Sequence, residues 1–76
     1  MLLRLTADAW VEVRDNRGQM AVKRVVKAGE TLKLDAVAPL FVYVGRSDSA
    51  ELSWQGKPVD LKPHTQNNEA RLQLKP

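Results

Sequence analysis

Apolar and polar residues alternate along most of this chain with a period of two, which is the period of β-strands and not of helices. In the segment AWVEVR, alternation places Val11 and Val13 on one face and Trp10 on the other. In AELSWQ, Trp54 is in phase with Leu52 and is predicted to lie in the core. The same alternation recurs in LRL, QMAVKRVVK, TLKLD, LFVYV, KPVDLK and ARLQLK. The pattern therefore predicts seven to eight short strands.

Turn-forming residues separate these segments at intervals of about 8–12 residues, as in β-sandwiches and barrels. The DNRG segment predicts a type I turn with Gly18 in the left-handed conformation, and QG at residues 55–56 predicts a tight hairpin. Pro63 and two asparagines leave room for one helical turn at most, between Pro63 and Asn67. The predicted fold class is all-β, a small antiparallel β-sandwich of seven to eight short strands.

Length and composition narrow the range of functions. The chain has 76 residues, so we expect a single β domain spanning residues 1–76. It contains no cysteine, which excludes disulfides and thiolate metal sites and leaves stability to apolar packing. The net charge is +3, but the basic residues are scattered and only Lys23 and Arg24 are adjacent. Since nucleic-acid binders concentrate positive charge on one face, the sequence disfavours a nucleic-acid partner.

The sequence shows neither a membrane span nor a signal peptide. No segment approaches the ~18 apolar residues of a spanning helix, and charged residues interrupt the start of the chain before an apolar region develops. Met1 leads directly into a strand-like pattern. We therefore expect the chain to be one domain of a larger protein.

His64 is the only histidine and the one candidate for a general base. A base needs a nucleophile at hydrogen-bond distance, and no G-x-S-x-G frame surrounds any of the candidate hydroxyls, which belong to Ser47, Ser49, Ser53 and Thr65. Zinc needs three or four ligands, which one histidine and no cysteine do not supply. The acids are scattered, and a domain this small leaves little room for a cleft of about 300–1,000 Å3. The sequence thus predicts no enzyme, no metal and no cofactor, with His64 facing water.

The positions of Trp10, Phe41 and Tyr43 allow two interpretations of the surface that they form. Trp10 is out of phase with the apolar side of its strand and shares a face with Glu12 and Arg14, while Phe41 and Tyr43 make the second face of LFVYV apolar. In one interpretation, LFVYV is a central strand whose second face is covered by a loop or strand edge, with Trp10 beneath that cover. In the other, these five residues form an exposed patch that docks a partner.

Strand edges offer a further possibility for interaction. Small open sandwiches must protect their edges, and Lys23, Arg24 and Lys27 in one strand and Pro58 in another are typical of such protection. An unprotected edge could accept a strand from a partner. Self-association through an edge or through Trp10 is therefore also a hypothesis.

Five segments, in order, together resemble one known family: LTADAWVEVRD, KAGETLKL, PLFVYVG, ELSWQGKPVDL and NNEARLQL. The family is that of the C-terminal domains of RodZ, the bacterial cell-shape protein, and the resemblance runs from about Leu3 to Leu74. Three positions depart from the family pattern. Ala9 stands where relatives often have cysteine, Leu40 where they have an aromatic residue, and Glu69 where they have an apolar residue.

The resemblance implies a role without enzymatic activity. RodZ-like proteins carry a cytoplasmic helix-turn-helix domain that binds the bacterial actin MreB, one transmembrane helix, a linker and this β domain on the periplasmic side of the inner membrane. The domain is then expected to be a protein-interaction module that links the MreB cytoskeleton to cell-wall elongation and rod shape, with elongation proteins as partners. Because aromatic side chains stack on sugar rings, an alternative is a module that binds peptidoglycan or another glycan.

Overall fold

The computed structural model describes all 76 residues and contains nine β-strands and two single-turn 3-10 helices. The strands are β1 (Leu2–Leu5), β2 (Ala9–Arg14), β3 (Met20–Val26), β4 (Thr31–Lys33), β5 (Leu40–Val44), β6 (Ala50–Trp54), β7 (Lys57–Val59), β8 (Thr65–Gln66) and β9 (Glu69–Leu74). The 3-10 helices span Ser47–Ser49 and Lys62–His64. The predicted segments AWVEVR and LFVYV coincide with β2 and β5, residue for residue.

The strands form two antiparallel sheets, which confirms the predicted sandwich. One sheet has four strands in the order β4-β1-β6-β7, and the other has five in the order β3-β2-β5-β9-β8. β5 is therefore the middle strand of the larger sheet, as expected for a segment that is apolar on both faces. Both terminal strands, β1 and β9, have a partner on each side.

The core consists of the inward-facing residues of both sheets. Alternation along β2 is complete, since Val11 and Val13 are fully buried while Trp10 and Arg14 are exposed. Trp54 is only half-buried; it packs against the core, and its indole N–H donates to the carbonyl of Lys75 at 2.8 Å. The core side chains are Leu3, Leu5, Ala9, Val11, Val13, Val22, Val26, Leu40, Val42, Val44, Leu52, Leu61, Ala70, Leu72 and Leu74.

The region after β7 differs from the prediction. The helical turn expected between Pro63 and Asn67 lies earlier, at Lys62–His64, and β8 follows it directly. The reason is a two-residue turn between β8 and β9, in which Asn67 and Asn68 have positive φ angles of 53° and 62°. Asparagine tolerates this conformation better than most residues, so two asparagines make a hairpin turn here and not a helix.

Both predicted hairpin turns are confirmed. At the end of β2, the Gly18 N–H donates to the Asp15 carbonyl at 3.0 Å, and Gly18 has a φ of 79°. Between β6 and β7, Gln55 and Gly56 have φ angles of 53° and 77°. Positive φ at both central residues is the type I′ arrangement, which matches the twist of the strands that it joins.

Two of the segments that carry the family resemblance contact each other. The Asp8 carboxylate accepts a hydrogen bond of 2.8 Å from the Ala28 N–H, and this bond is the main reason that the pKa of Asp8 lies below its ordinary value. The next amide, of Gly29, donates to the Leu5 carbonyl at 2.8 Å. These residues fix the β3–β4 connection against β1, so their role in the domain is structural.

The strands expected to carry edge protection do lie at edges. β3 is the outer strand of the five-stranded sheet and carries Lys23 and Arg24, while β7 is the outer strand of the other sheet and carries Pro58. Lys27, predicted in the same strand as Lys23, lies just beyond it, because β3 ends at Val26. Charged side chains and proline at these positions oppose edge-to-edge pairing with another chain.

Candidate functional site

The outward side of the five-stranded sheet, called here the outer face, carries all five residues predicted to bind a partner. Cross-strand register arranges this face in rows. One row runs from Val25 to Trp10, the middle row from Lys23 through Glu12 and Tyr43 to Arg71, and the last from Arg14 through Phe41 to Gln73. The structure thus brings Trp10, Glu12, Arg14, Phe41 and Tyr43 together.

The outer face is open to solvent. Trp10, Val25 and Phe41 are 40%, 42% and 46% exposed, which makes them three of the five large apolar side chains that the protein exposes. The interpretation in which a loop or strand edge covers Trp10 is therefore wrong. The half of it that placed LFVYV at the centre of a sheet is correct, but the four-stranded sheet packs against only one face of β5, and no strand or helix of the structure covers the other face.

The indole of Trp10 is held in position by its neighbours. Its Nε1–H donates to Oε2 of Glu12 at 2.7 Å, two residues along the same face. Gly45 approaches the Trp10 backbone closely, because its N–H donates to the Trp10 carbonyl at 2.9 Å and a Cβ there would lie 3.3 Å from that oxygen. A side chain at position 45 would therefore crowd the Trp10 backbone.

Tyr43, Glu69 and Arg71 form a second ordered group on the outer face. The Tyr43 hydroxyl donates to Oε1 of Glu69, and this hydrogen bond is the main cause that raises the pKa of Tyr43 above its ordinary value. The Arg71 guanidinium lies over the Tyr43 ring, 5.0 Å from its centroid, and 3.6 Å from Glu69 Oε1. Glu69 departs from the family pattern, but β9 begins at this residue without disruption. Its carboxylate accepts the hydrogen bond that the Tyr43 hydroxyl donates.

A groove of about 290 Å3 lies on the outer face beside Phe41 and Tyr43. Arg14 lies on one side of these two rings and Arg71 on the other, and Met20 closes the end near the β2–β3 hairpin. We call it the aromatic groove; its remaining lining residues are Glu12, Val42 and Leu72. It combines an apolar floor with guanidinium groups at its margins.

A larger groove of about 640 Å3 lies between β6, β7 and the two 3-10 helices. Part of its polar lining is hydrogen-bonded within the domain: Thr65 Oγ1 donates to the Leu61 carbonyl at 2.7 Å, and Asn68 Oδ1 accepts from the Asp48 N–H at 2.9 Å. It contains no aromatic side chain. It therefore lacks the aromatic platform that distinguishes the outer face.

His64 lies in neither groove and is exposed at the end of the second 3-10 helix. Thr65 Oγ1 bonds to Ser47 Oγ at 3.1 Å, so these two hydroxyls are hydrogen-bonded to one another and not to the imidazole. No group of three or more histidine, aspartate or glutamate side chains is placed to hold a metal ion. The structure also contains no helix with the length and apolar character needed to cross a bilayer.

Sequence reasoning missed four residues of the outer face. Val25, Met20, Arg71 and Glu69 all contribute to it, but their positions follow from strand pairing and not from their own segments. For Arg71, the sequence did contain a signal. This residue alternates with the apolar residues of ARLQLK, so it must face outward. Which outward residues become neighbours depends on the order β3-β2-β5-β9, which alternation does not reveal.

One comparison with known proteins identifies a family. The family model described as the RodZ C-terminal domain matches residues 3–73, which is nearly the whole chain. No solved structure matches the chain.

Proposed function

The chain belongs to the family of RodZ C-terminal domains, and we propose that it is a non-enzymatic protein-interaction module that docks its partner on the outer face. Membership of this family supports the proposed class of protein, a non-enzymatic interaction module. The outer face supports the mode of action, because it is the surface where exposed aromatic side chains, charged groups and a groove coincide.

The observation that carries the proposal is the exposure of Trp10 and Phe41 on a rigid central part of a sheet. Single exposed apolar residues are common, but several large ones gathered on one face of a small domain often mark a site of protein interaction. Tryptophan and arginine are also the residues that most often dominate the energy of protein interfaces. β2 and β5, which carry both aromatic residues, are paired on each side, so the patch is presented without a cost in ordering.

The proposal extends to the parent protein. In it, the domain is the periplasmic part of a single-pass protein of the inner membrane whose cytoplasmic part binds MreB. The outer face then contacts proteins of the cell-wall elongation complex and links the cytoskeleton to rod shape. Membership of the RodZ C-terminal domain family supports this extension.

The test is capture of purified periplasmic domains of elongation proteins by the immobilised domain. We expect Trp10→Ala to reduce capture about tenfold or more, as for a central aromatic residue of an interface. Leu2→Ala is the matched control, because Leu2 is also 40% exposed but lies on the four-stranded sheet. Equal capture by the wild type and by a correctly folded Trp10→Ala variant, checked by circular dichroism, excludes Trp10 from the interface.

Glycan binding is the second candidate, and one contact favours it. The exposed Trp10 indole lies beside the Glu12 carboxylate, which combines a stacking platform with an acceptor for sugar hydroxyls. Co-sedimentation with purified sacculi separates the two candidates. If the wild-type domain stays in the supernatant, glycan binding is excluded; if it sediments and Trp10→Ala does not, glycan binding replaces the protein-docking proposal.

A further inference from the structure

The charges of the outer face narrow the choice of partner. We infer that the aromatic groove binds an extended acidic segment of a partner protein, with carboxylates on Arg14 and Arg71 and an apolar side chain between them on Phe41 and Tyr43. This inference rests on the proposed docking function and specifies the chemistry of what docks.

Positive charge on the outer face exceeds negative charge, with three cations against two carboxylates. Its cations are Arg14, Lys23 and Arg71, and its carboxylates are Glu12 and Glu69. Both carboxylates already accept hydrogen bonds from aromatic side chains of the same face. The only ion pair of the face joins Arg71 to Glu69 at 3.6 Å, so Arg14 and Lys23 form no ion pair with a carboxylate.

The Arg14 side chain is positioned but retains most of its hydrogen-bonding capacity. Its Nη1 donates to the Gly18 carbonyl at 2.8 Å, which holds the guanidinium beside the β2–β3 hairpin. A guanidinium has five N–H donors in a planar fork that matches a carboxylate. Four donors thus remain for a ligand, on a group that is already ordered.

Strand geometry sets the spacing of the ligand. Arg14 and Arg71 are separated by β5 and are two residues apart along the strands, since Arg14 pairs with Phe41 and Arg71 with Tyr43. With about 4.8 Å between strands and about 3.4 Å per residue, their Cα atoms lie about 12 Å apart. In an extended segment, residues four positions apart on one side are about 13 Å apart. The matching pattern is therefore acidic-x-apolar-x-acidic.

The same arrangement argues against a basic partner. A lysine or arginine placed in the groove would meet the guanidinium groups of Arg14 and Arg71 but only one carboxylate, that of Glu12, because Glu69 does not line the groove. Like charges brought together at an interface are unfavourable and exclude wrong partners. The apolar floor at Phe41 then supplies apolar contact area for the partner's apolar side chain, which carboxylate contacts alone do not provide.

The experiment uses three labelled nine-residue peptides and the intact domain. The test peptide has the sequence SGESFSEGS, the second replaces both glutamates with lysine, and the third replaces phenylalanine with alanine. Affinity is measured by fluorescence polarisation, and the site is located from amide chemical shifts in NMR spectra. We expect the test peptide to bind at least tenfold more tightly than either of the others, and less tightly as salt is raised.

Variants locate the contacts. Arg14→Gln and Arg71→Gln should each weaken binding of the test peptide several-fold, and the amides of Phe41 and Tyr43 should shift on binding. Arg4→Gln is the matched control, since Arg4 is an exposed arginine on β1 in the other sheet. The inference is overturned by equal binding of the lysine peptide, by no binding at millimolar concentration, or by shifts confined to the larger groove.

A second copy of this chain is the competing occupant, because Asp8, Trp10 and Glu12 follow the same acidic-x-apolar-x-acidic pattern. Light scattering across a range of concentrations detects it, and a dimer that Arg14→Gln dissociates overturns the inference in favour of self-association. Loss of capture in Trp10→Ala with no peptide binding leaves the docking function standing and removes only the acidic ligand. The two proposals therefore fail separately.

Discussion

Arg24 and Glu30 form a two-point ion pair at the open edge of β3, with Nη2–Oε2 and Nη1–Oε1 distances of 2.6 and 3.2 Å. Arg24 occupies an inward-facing register position between the buried Val22 and Val26, yet its side chain is about half exposed. Its Nη1 also donates to the carbonyl of Val25 at 3.1 Å. The guanidinium therefore binds Glu30 and also occupies a backbone acceptor on its own strand.

This ion pair predicts a change in stability at acidic pH. The Arg24 hydrogen bonds, helped by the Lys27 N–H, lower the pKa of Glu30 from 4.5 to about 2. A carboxyl group whose pKa is lowered on folding stabilises the protein above its unfolded pKa, and this contribution is lost as pH falls through the folded pKa. We expect the difference in melting temperature between wild type and Glu30→Gln to be largest above about pH 5 and to vanish towards pH 2.

Circular dichroism melts at intervals of half a pH unit measure this difference. Glu51→Gln is the control, because Glu51 is exposed on β6 and forms no ion pair. A melting difference for Glu30→Gln that stays constant from pH 5 to pH 2 contradicts the assignment of this carboxylate as a stabilising group.

Neighbouring residues of β5 should differ sharply in their effect on stability. Leu40 is fully buried, and Leu40→Ala should lower the free energy of unfolding by about 2–5 kcal/mol, a large part of the total for a domain of this size. Phe41→Ala, on the outer face, should lower it by about 1 kcal/mol, because roughly half of that ring is already in water. Urea titrations give both values, and equal losses would show that the outer face contributes to the core.

A substitution in the β6–β7 turn should stabilise the domain. Gln55 occupies a left-handed position with a φ of 53°, followed by Gly56 in the same region. Asn-Gly is the preferred pair for this turn, so Gln55→Asn should raise the free energy of unfolding by about 0.5 kcal/mol. Gln55→Val should lower it, since a β-branched residue disfavours positive φ. Thermal melts of the two variants beside wild type check the order, and a Gln55→Val variant as stable as wild type contradicts it.

The two tryptophans should report different environments. Trp10 is 40% exposed, whereas Trp54 packs against the core and donates to Lys75. Acrylamide should therefore quench the emission of Trp54→Phe, in which Trp10 remains, more strongly than that of Trp10→Phe. Equal quenching constants for the two single-tryptophan variants would show that Trp10 is sheltered in solution.

The strands were predictable because the alternation is local. Segments such as AWVEVR and LFVYV bury alternate residues, and sequence alone shows which side is apolar. β8 was not predictable in this way, since two residues are too few to display a period, and it exists because Asn67 and Asn68 form a turn that pairs it with β9. Its position depends on contacts made only after folding.

The candidate site was predictable in part for the same reason. The phase of Trp10 against its own strand indicated an aromatic residue on a polar face, and the structure places it there. The contacts of Tyr43 with Glu69 and with Arg71 join segments that no local pattern connects. The composition of the aromatic groove therefore required the strand order, which only the folded chain supplies.

The placement of β1 between β4 and β6 has a mechanical consequence. Its residues are paired on both sides, with Leu3 opposite Leu32 in one ladder and Leu52 in the other. The hydrogen bonds of antiparallel ladders run perpendicular to the strands, so a pull along β1 loads both sets in shear and they must break together. A domain tethered through this strand would resist tension with two ladders, whereas an edge strand pulled in the same direction would load only one.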